Sequence, residues 1–250
     1  MKALKVFWLN VSFYSLLILY SAISVPLLAF IVAGQAVFLP HRAGMKRFRR
    51  AISWYGAGVI RLLPWPLIRI RYEDTAPAEN EGPFLVVCNH RAASDPFLMA
   101  CLPFECVQVV NTWPFRLPIW GITARLAGYL SIKEMSAEAF IERAGQLLRQ
   151  GVTVISFPEG TRSGTSEMGH FHGTVFRLAI RARASILPLC ISGNERMPAR
   201  GSFVLRPGTV RVRKLPALRW EQYKDLNAFQ LKNRVRELMS RELRSLDAGQ

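Results

Sequence analysis

The chain has 250 residues, half of them apolar, and carries 33 Lys and Arg against 17 Asp and Glu, a formal net charge of +16. That length accommodates one sizeable α/β domain with an appendage. Its four cysteines form no Cys-x-x-Cys pair and no nucleic-acid recognition motif is present, so a disulfide framework and a nucleic-acid partner are both disfavoured.

The charge is unevenly placed. No Asp or Glu precedes Glu73, yet ten Lys and Arg do: Lys2, Lys5, Arg42, Lys46, Arg47, Arg49, Arg50, Arg61, Arg69 and Arg71. Between the first pair and Arg42, residues Val6 to Pro40 carry no formal charge and are rich in Leu, Ile, Val, Phe and Ala. Such a run exceeds both one upright bilayer span of about 20 residues and the apolar core of a signal peptide. Basic flanks on both sides favour keeping both ends on the cytoplasmic side. Residues 1–50 therefore read as a membrane-embedded helical hairpin with a basic flank, broken near Pro26, with a single span as the alternative. Residues 51–67 mix apolar groups with Trp54, Tyr55, Arg61 and Trp65, the pattern of a helix lying on the interface.

From residue 68 the pattern changes to short β-prone runs separated by helical stretches. Ile68 to Tyr72 alternates as a half-buried strand, and Glu73 to Gly82 is a surface connection. Phe84 to Cys88 reads as a buried strand entered through Gly82-Pro83. It runs into Asn89-His90-Arg91-Ala92-Ala93-Ser94-Asp95-Pro96, where Asp95 is a good N-cap and Pro96 suits the first helical position. His90 thus stands at the carboxyl end of a strand, where α/β folds place chemistry. An imidazole there can serve as a general base, and a carboxylate can hold its second nitrogen. On one continuous helix the five-residue spacing from His90 to Asp95 separates them by about 140°, so they meet only if the loop curls back.

Further strands are expected over 106–110, 128–132, 153–157 and 186–191, with one or two more over 203–215. A short helix follows at 97–102 and another within 114–127. Ser136 caps a helix over 136–150 that Gly151 terminates, and helices are expected over 171–183 and 225–246. The strand at 153–157 ends in Pro158-Glu159-Gly160-Thr161-Arg162-Ser163-Gly164, a glycine-bearing loop with a charge pair at its tip. This alternation is α/β: a layered sheet with helices packed on it, preceded by the N-terminal membrane-embedded segment.

Together, NHRAASDP and FPEGTRS resemble, in this order and separation, the signature blocks of the lysophospholipid acyltransferases typified by 1-acylglycerol-3-phosphate acyltransferase. The resemblance covers about residues 68–215, so residues 68–250 read as the acyltransferase domain. It implies that His90 and Asp95 are the catalytic pair and that Glu159, Gly160, Thr161 and Arg162 bind the acceptor. It also implies acyl-CoA or acyl-carrier protein as co-substrate, with no cofactor and no metal. Transfer from an already activated thioester fits: it asks for a base, an orienter and a grip on the acceptor's anion. Arg162 offers a planar fork for a phosphate, and Glu159 either orders Arg162 or binds the glycerol hydroxyl. Where relatives often carry Phe-Ile-Asp-Arg, this chain has Leu130-Ser131-Ile132-Lys133, so Lys133 supplies a positive charge without the fork.

The expected reaction is acylation of a lysophospholipid hydroxyl, 1-acylglycerol 3-phosphate giving phosphatidic acid, at a membrane with the catalytic domain facing the cytoplasm. Two alternatives stand beside it: the same reaction on an aminolipid or glycolipid acceptor, and a non-catalytic protein that binds anionic lipid. Ser163 lacks the Gly-x-Ser-x-Gly elbow of a hydrolase, and His170-x-His172 lacks the further ligands a zinc site needs.

Overall fold

A computed structural model describes residues 2–76, 82–116, 118–195, 197–199 and 201–249. Much of the expected 73–82 connection lies outside these. Among the described residues seven strands form one sheet in the order β1-β7-β6-β2-β5-β3-β4: β1 Ile68–Asp74, β2 Leu85–Cys88, β3 Cys106–Val110, β4 Leu130–Ser131, β5 Thr153–Ser156, β6 Ile186–Ser192 and β7 Gly208–Lys214. Neighbouring strands run parallel throughout, except that β7 runs antiparallel to β6. The central strands β2, β5 and β6 are buried along their whole length, which suits the apolar runs at their centres. Strand β1 lies at an edge and turns Arg69 and Arg71 outward, charges that discourage pairing with another sheet.

Among the described residues seven α-helices accompany the sheet: α1 Lys2–Phe38, α2 His41–Arg61, α3 Asp95–Leu98, α4 Pro118–Leu126, α5 Ala137–Arg149, α6 Thr174–Ala182 and α7 Ala228–Ala248. Helices α5, α6 and α7 cover one face, where Phe140, Leu147, Phe176, Val235 and Met239 pack with Leu85, Val87 and Val154. The other face buries Phe84, Val86, Ile155 and Leu187 beneath Leu9 of α1, Leu98 of α3 and Leu205. Ser136 caps α5, its side chain accepting from the Ala139 N–H at 3.1 Å, and Asn227 with Gln230 forms a capping box on α7.

The N-terminal region differs from expectation in where it turns. No break occurs at Pro26: α1 is one helix of 37 residues, about 55 Å long at 1.5 Å per residue, and it is long and apolar enough to cross a membrane. A proline forfeits one N–H bond, which so long a helix tolerates. The turn falls at Leu39–Pro40, and α2 starts at His41, ten residues before the interfacial helix expected at 51. The basic cluster Arg42 to Arg50 is therefore helical. It also fastens α2 to the domain: Arg42 and Arg49 both pair with Glu105 at 2.7 Å, and Arg49 Nε donates to the Ala127 carbonyl at 2.8 Å.

Helices α1 and α2 run antiparallel and close together. The rings of Tyr20 and Tyr55 stack at 5.4 Å, and the Ser21 and Tyr55 hydroxyls share a 2.8 Å hydrogen bond. Gly58 permits this approach, since a Cβ there would stand 2.2 Å from the Tyr20 hydroxyl.

Candidate active site

The carboxyl ends of β2, β5 and β6 adjoin, and the loops leaving them build one site. Asn89 ends β2 by exchanging two hydrogen bonds with the backbone of Ile191, its amide donating at 2.9 Å and its carbonyl accepting at 2.7 Å. The chain then curls back. Asp95 Oδ2 lies 2.7 Å from His90 Nδ1 and accepts the backbone N–H groups of Arg91 and Ala92 at 2.7 and 2.9 Å. Asn194, just past β6, donates to Oδ1 of the same carboxylate.

Asp95 is thus not the N-cap expected of it. Ser94 occupies that position, and Asp95, the first residue of α3, turns its fully buried carboxylate into the preceding loop. Four donors converge on it, which is how a buried anion is tolerated. With the proton on Nδ1, the imidazole donates to Asp95, and among the described residues nothing is hydrogen-bonded to Nε2. The ring is partly exposed, with the Phe157 ring 4.6 Å away, centroid to centroid.

The second loop is tied to the first through backbone. Glu159 Oε1 accepts the His90 N–H at 2.6 Å, Oε2 accepts the Gly169 N–H at 2.7 Å, and the Ser163 N–H donates to the His90 carbonyl at 2.8 Å. Both Glu159 oxygens thus hold the loops together, and among the described residues Arg162 is not paired with it. Burial raises its carboxyl above the ordinary glutamate value, against the two N–H bonds that lower it. Gly160 has φ +68°, a left-handed turn, and a Cβ there would sit 3.1 Å from the His172 ring.

Arg162 lies one residue before the Ser163–His90 bond, half-buried and, among the described residues, without an ion pair. Thr161 is exposed beside it. Lys133 is not brought in. It follows β4, three strands from β2, about 14 Å away at the usual strand spacing, and its side chain is exposed.

Several contributors escaped the sequence reading. Asn194 touches the Asp95 carboxylate directly, yet it is an ordinary residue at a strand end with no motif around it; Phe157 opens the second block, but its contact with the His90 ring follows only from the pairing of the two strands. Arg91 was visible in the first block, but its partners Glu195 and Asp247 are remote in sequence.

Beside the His-Asp loop lies a cavity of about 280 Å³. Ala93, Pro96 and Phe97 form one wall, Leu28 and Val32 of α1 and Ala51 of α2 another, and Trp120 of α4 a third. It is predominantly apolar, with the His-Asp loop at one side.

Comparisons with known proteins place the chain in a family. A family model described as Acyltransferase matches residues 69–192. The 1-acyl-sn-glycerol-3-phosphate acyltransferase alpha of Ovis aries is 30% identical over 197 residues, covering 72% of this chain and 67% of that protein. The chloroplastic 1-acyl-sn-glycerol-3-phosphate acyltransferase of Arabidopsis thaliana is 28% identical over 180 residues, 70% of this chain, and the match spans about half (49%) of the relative's length. The crystal structure of the 1-acyl-sn-glycerophosphate acyltransferase of Thermotoga maritima superposes with a TM-score of 0.78, covering 98% of each chain at 20% identity, a likeness of fold.

Proposed function

The chain belongs to the acyltransferase family, and from that premise we propose that it moves a fatty acyl group from a thioester donor to the free hydroxyl of 1-acylglycerol 3-phosphate. The observation that carries this reading is the 2.7 Å contact between His90 Nδ1 and a buried Asp95, beside the loop that bears Arg162. His90 Nε2 takes the proton of the acceptor hydroxyl as its oxygen attacks the thioester carbonyl. A C–O bond forms, the C–S bond breaks, and the imidazolium returns the proton to the departing thiolate. Asp95 fixes the tautomer and balances the transient positive charge.

Arg162 holds the acceptor's phosphate through its fork of N–H groups, and Gly160 and Thr161 bring the backbone close to it. Glu159 acts as a positioning group through His90 N–H. The cavity beside Ala93 and Pro96 takes a fatty chain. The donor is acyl-CoA or acyl-carrier protein.

The site works at a membrane, with the catalytic domain on the cytoplasmic face. Exposed apolar groups along α1, among them Phe30 and Phe38, support attachment. The helix is fastened to one body along its length: Leu9 is buried in the domain, and Tyr20 and Ser21 meet α2. That favours insertion from one side over a span that leaves the domain, and the basic flanks favour the cytoplasmic side.

The test is His90→Ala in purified protein, offered labelled donor and a panel of 1-acylglycerol 3-phosphate, lyso-aminolipid and lysoglycolipid. Loss of about 10²–10⁴-fold in kcat on the phosphate acceptor, with folding retained, is expected. Unchanged turnover overturns the mechanism, and faster turnover on another acceptor overturns the headgroup.

A further inference from the structure

The segment from Gly201 to Pro207 leads into β7 without regular secondary structure and ends in an apolar tip that the domain does not cover. Phe203 is 83% exposed and Val204 46%, while the next residue, Leu205, is buried in the core beneath α1. Large apolar groups at a loop tip are costly in water unless something covers them.

The tip is held against α1. The Asn10 amide donates to the Leu205 carbonyl at 2.9 Å, and its oxygen accepts the Leu205 N–H at 2.8 Å. The Tyr14 hydroxyl donates to the Phe203 carbonyl, and Ser202 Oγ accepts the Val204 N–H at 2.9 Å. Four backbone groups of the tip are thereby satisfied without water. A segment entering hydrocarbon needs that, because each unpaired N–H or C=O costs several kcal/mol there.

Its surroundings share one character. Phe7 and Val11, which flank Asn10 on α1, are exposed, as are Leu62 and Trp65 in the turn after α2. That turn leads to Leu67, whose carbonyl accepts the Gly208 N–H at 3.0 Å, so it borders the same loop. Around them stand exposed cations: Lys2 and Lys5 on α1, Arg206 beside the tip, and Arg69 opposite Thr209. Apolar groups inside a cationic rim fit an anionic lipid surface.

We infer that the Phe203–Val204 tip inserts into an anionic bilayer beside the N-terminal part of α1, a second point of entry contributed by the far half of the chain. The inference rests on the membrane reading given above. It places the bilayer along the α1 end that meets β1 and β7 as well as along the α1–α2 pair.

The test labels full-length protein, reconstituted in vesicles of phosphatidylcholine and phosphatidylglycerol, with an environment-sensitive fluorophore. Phe203→Cys and, separately, Phe30→Cys carry the label in a Cys101→Ser background, the other three cysteines being buried. Blue-shifted emission at both positions, quenched by lipids spin-labelled on their chains, is expected. Quenching at position 30 with a water-like signal at 203 overturns the tip and leaves the membrane reading standing; water-like signals at both overturn the two together. Phe203→Glu should lower retention on the same vesicles about tenfold, the partition expected from one large apolar side chain, with detergent activity unchanged. Retention that does not rise when phosphatidylglycerol replaces part of the phosphatidylcholine overturns the cationic rim. A smaller assembly for Phe203→Glu in detergent would assign the tip to a second copy and overturn its lipid role.

Discussion

Arg91 and Asp247, far apart in sequence, form a two-pronged ion pair at 2.8 and 2.7 Å. The Arg91 side chain is buried and is also gripped by Glu195 and by the Ser166 carbonyl, while its backbone N–H donates to Asp95. The end of α7 is thereby fastened to the residue next to His90. Asp247→Ala removes one of the two carboxylates that neutralise a buried guanidinium. A stability loss of about 1–3 kcal/mol is expected, with a fall in kcat larger than any change in KM. Denaturant unfolding and steady-state kinetics check both, and Asp247→Glu should recover part of each.

The same pair sets a pH response. Burial alone would raise the Asp247 carboxyl, but hydrogen bonds from Arg91 and Ser192 and the Arg91 charge outweigh it, leaving the carboxyl below the ordinary aspartate value. A depressed folded-state pKa means that its contribution is complete above the unfolded value of about 4 and is lost as pH falls through the lower folded value. The stability gap between the unmodified chain and Asp247→Asn should therefore be constant near neutrality and close as pH drops below about 4. Unfolding midpoints across an acid series measure it.

Asp95→Asn separates charge from geometry. An asparagine oxygen can take the place of Oδ2 before the His90, Arg91 and Ala92 donors. The neighbouring Asn194 can turn its amide, presenting to the new NH₂ its buried Oδ1, which among the described residues lacks a partner. The fold should survive with the imidazolium's counter-charge gone. We expect a kcat loss of about 10³–10⁴-fold with a melting temperature within a few degrees of the unmodified chain.

Gly160→Ala tests the acceptor loop. A left-handed conformation costs a non-glycine residue about 1–2 kcal/mol, and the added methyl meets the His172 ring at 3.1 Å. A lowered melting temperature and a raised KM for the acceptor should appear together in thermal scans and kinetics.

Filling the cavity tests its occupant. Ala51→Phe places a ring in the 280 Å³ space between α2 and the His-Asp loop. The preference for a palmitoyl over a lauroyl donor, read as a ratio of kcat/KM values, should fall about tenfold.

Most of the strands and the two signature loops were legible because they follow local rules. Phe84 to Cys88 is a short apolar run and Thr153 to Phe157 a short β-prone one, each ending in loop-forming residues, and both are strands on neighbouring positions of the sheet. The acyltransferase resemblance rested on the blocks at those two strand ends, and the comparisons bear it out. What local rules missed was where side chains point. Asp95 has the sequence of an N-cap, but four donors from two segments outcompete the helix for its carboxylate. Pro26 has the look of a break, but one missing N–H does not outweigh the rest of α1. Lys133 follows a strand as His90 does, and only the strand order reveals that three positions separate them.

The loops that bear His90 and Arg162 issue from different strands and are joined through Glu159 and Ser163 to the His90 backbone, Gly169 back to Glu159, and the Ser166 carbonyl to Arg91. Between those anchors the residues facing outward are unconstrained by the proton-transfer geometry. With the acceptor bound as proposed, headgroup preference is a separable module, open to exchange by grafting 160–168 from another scaffold that keeps the backbone bonds of Ser163 and Ser166.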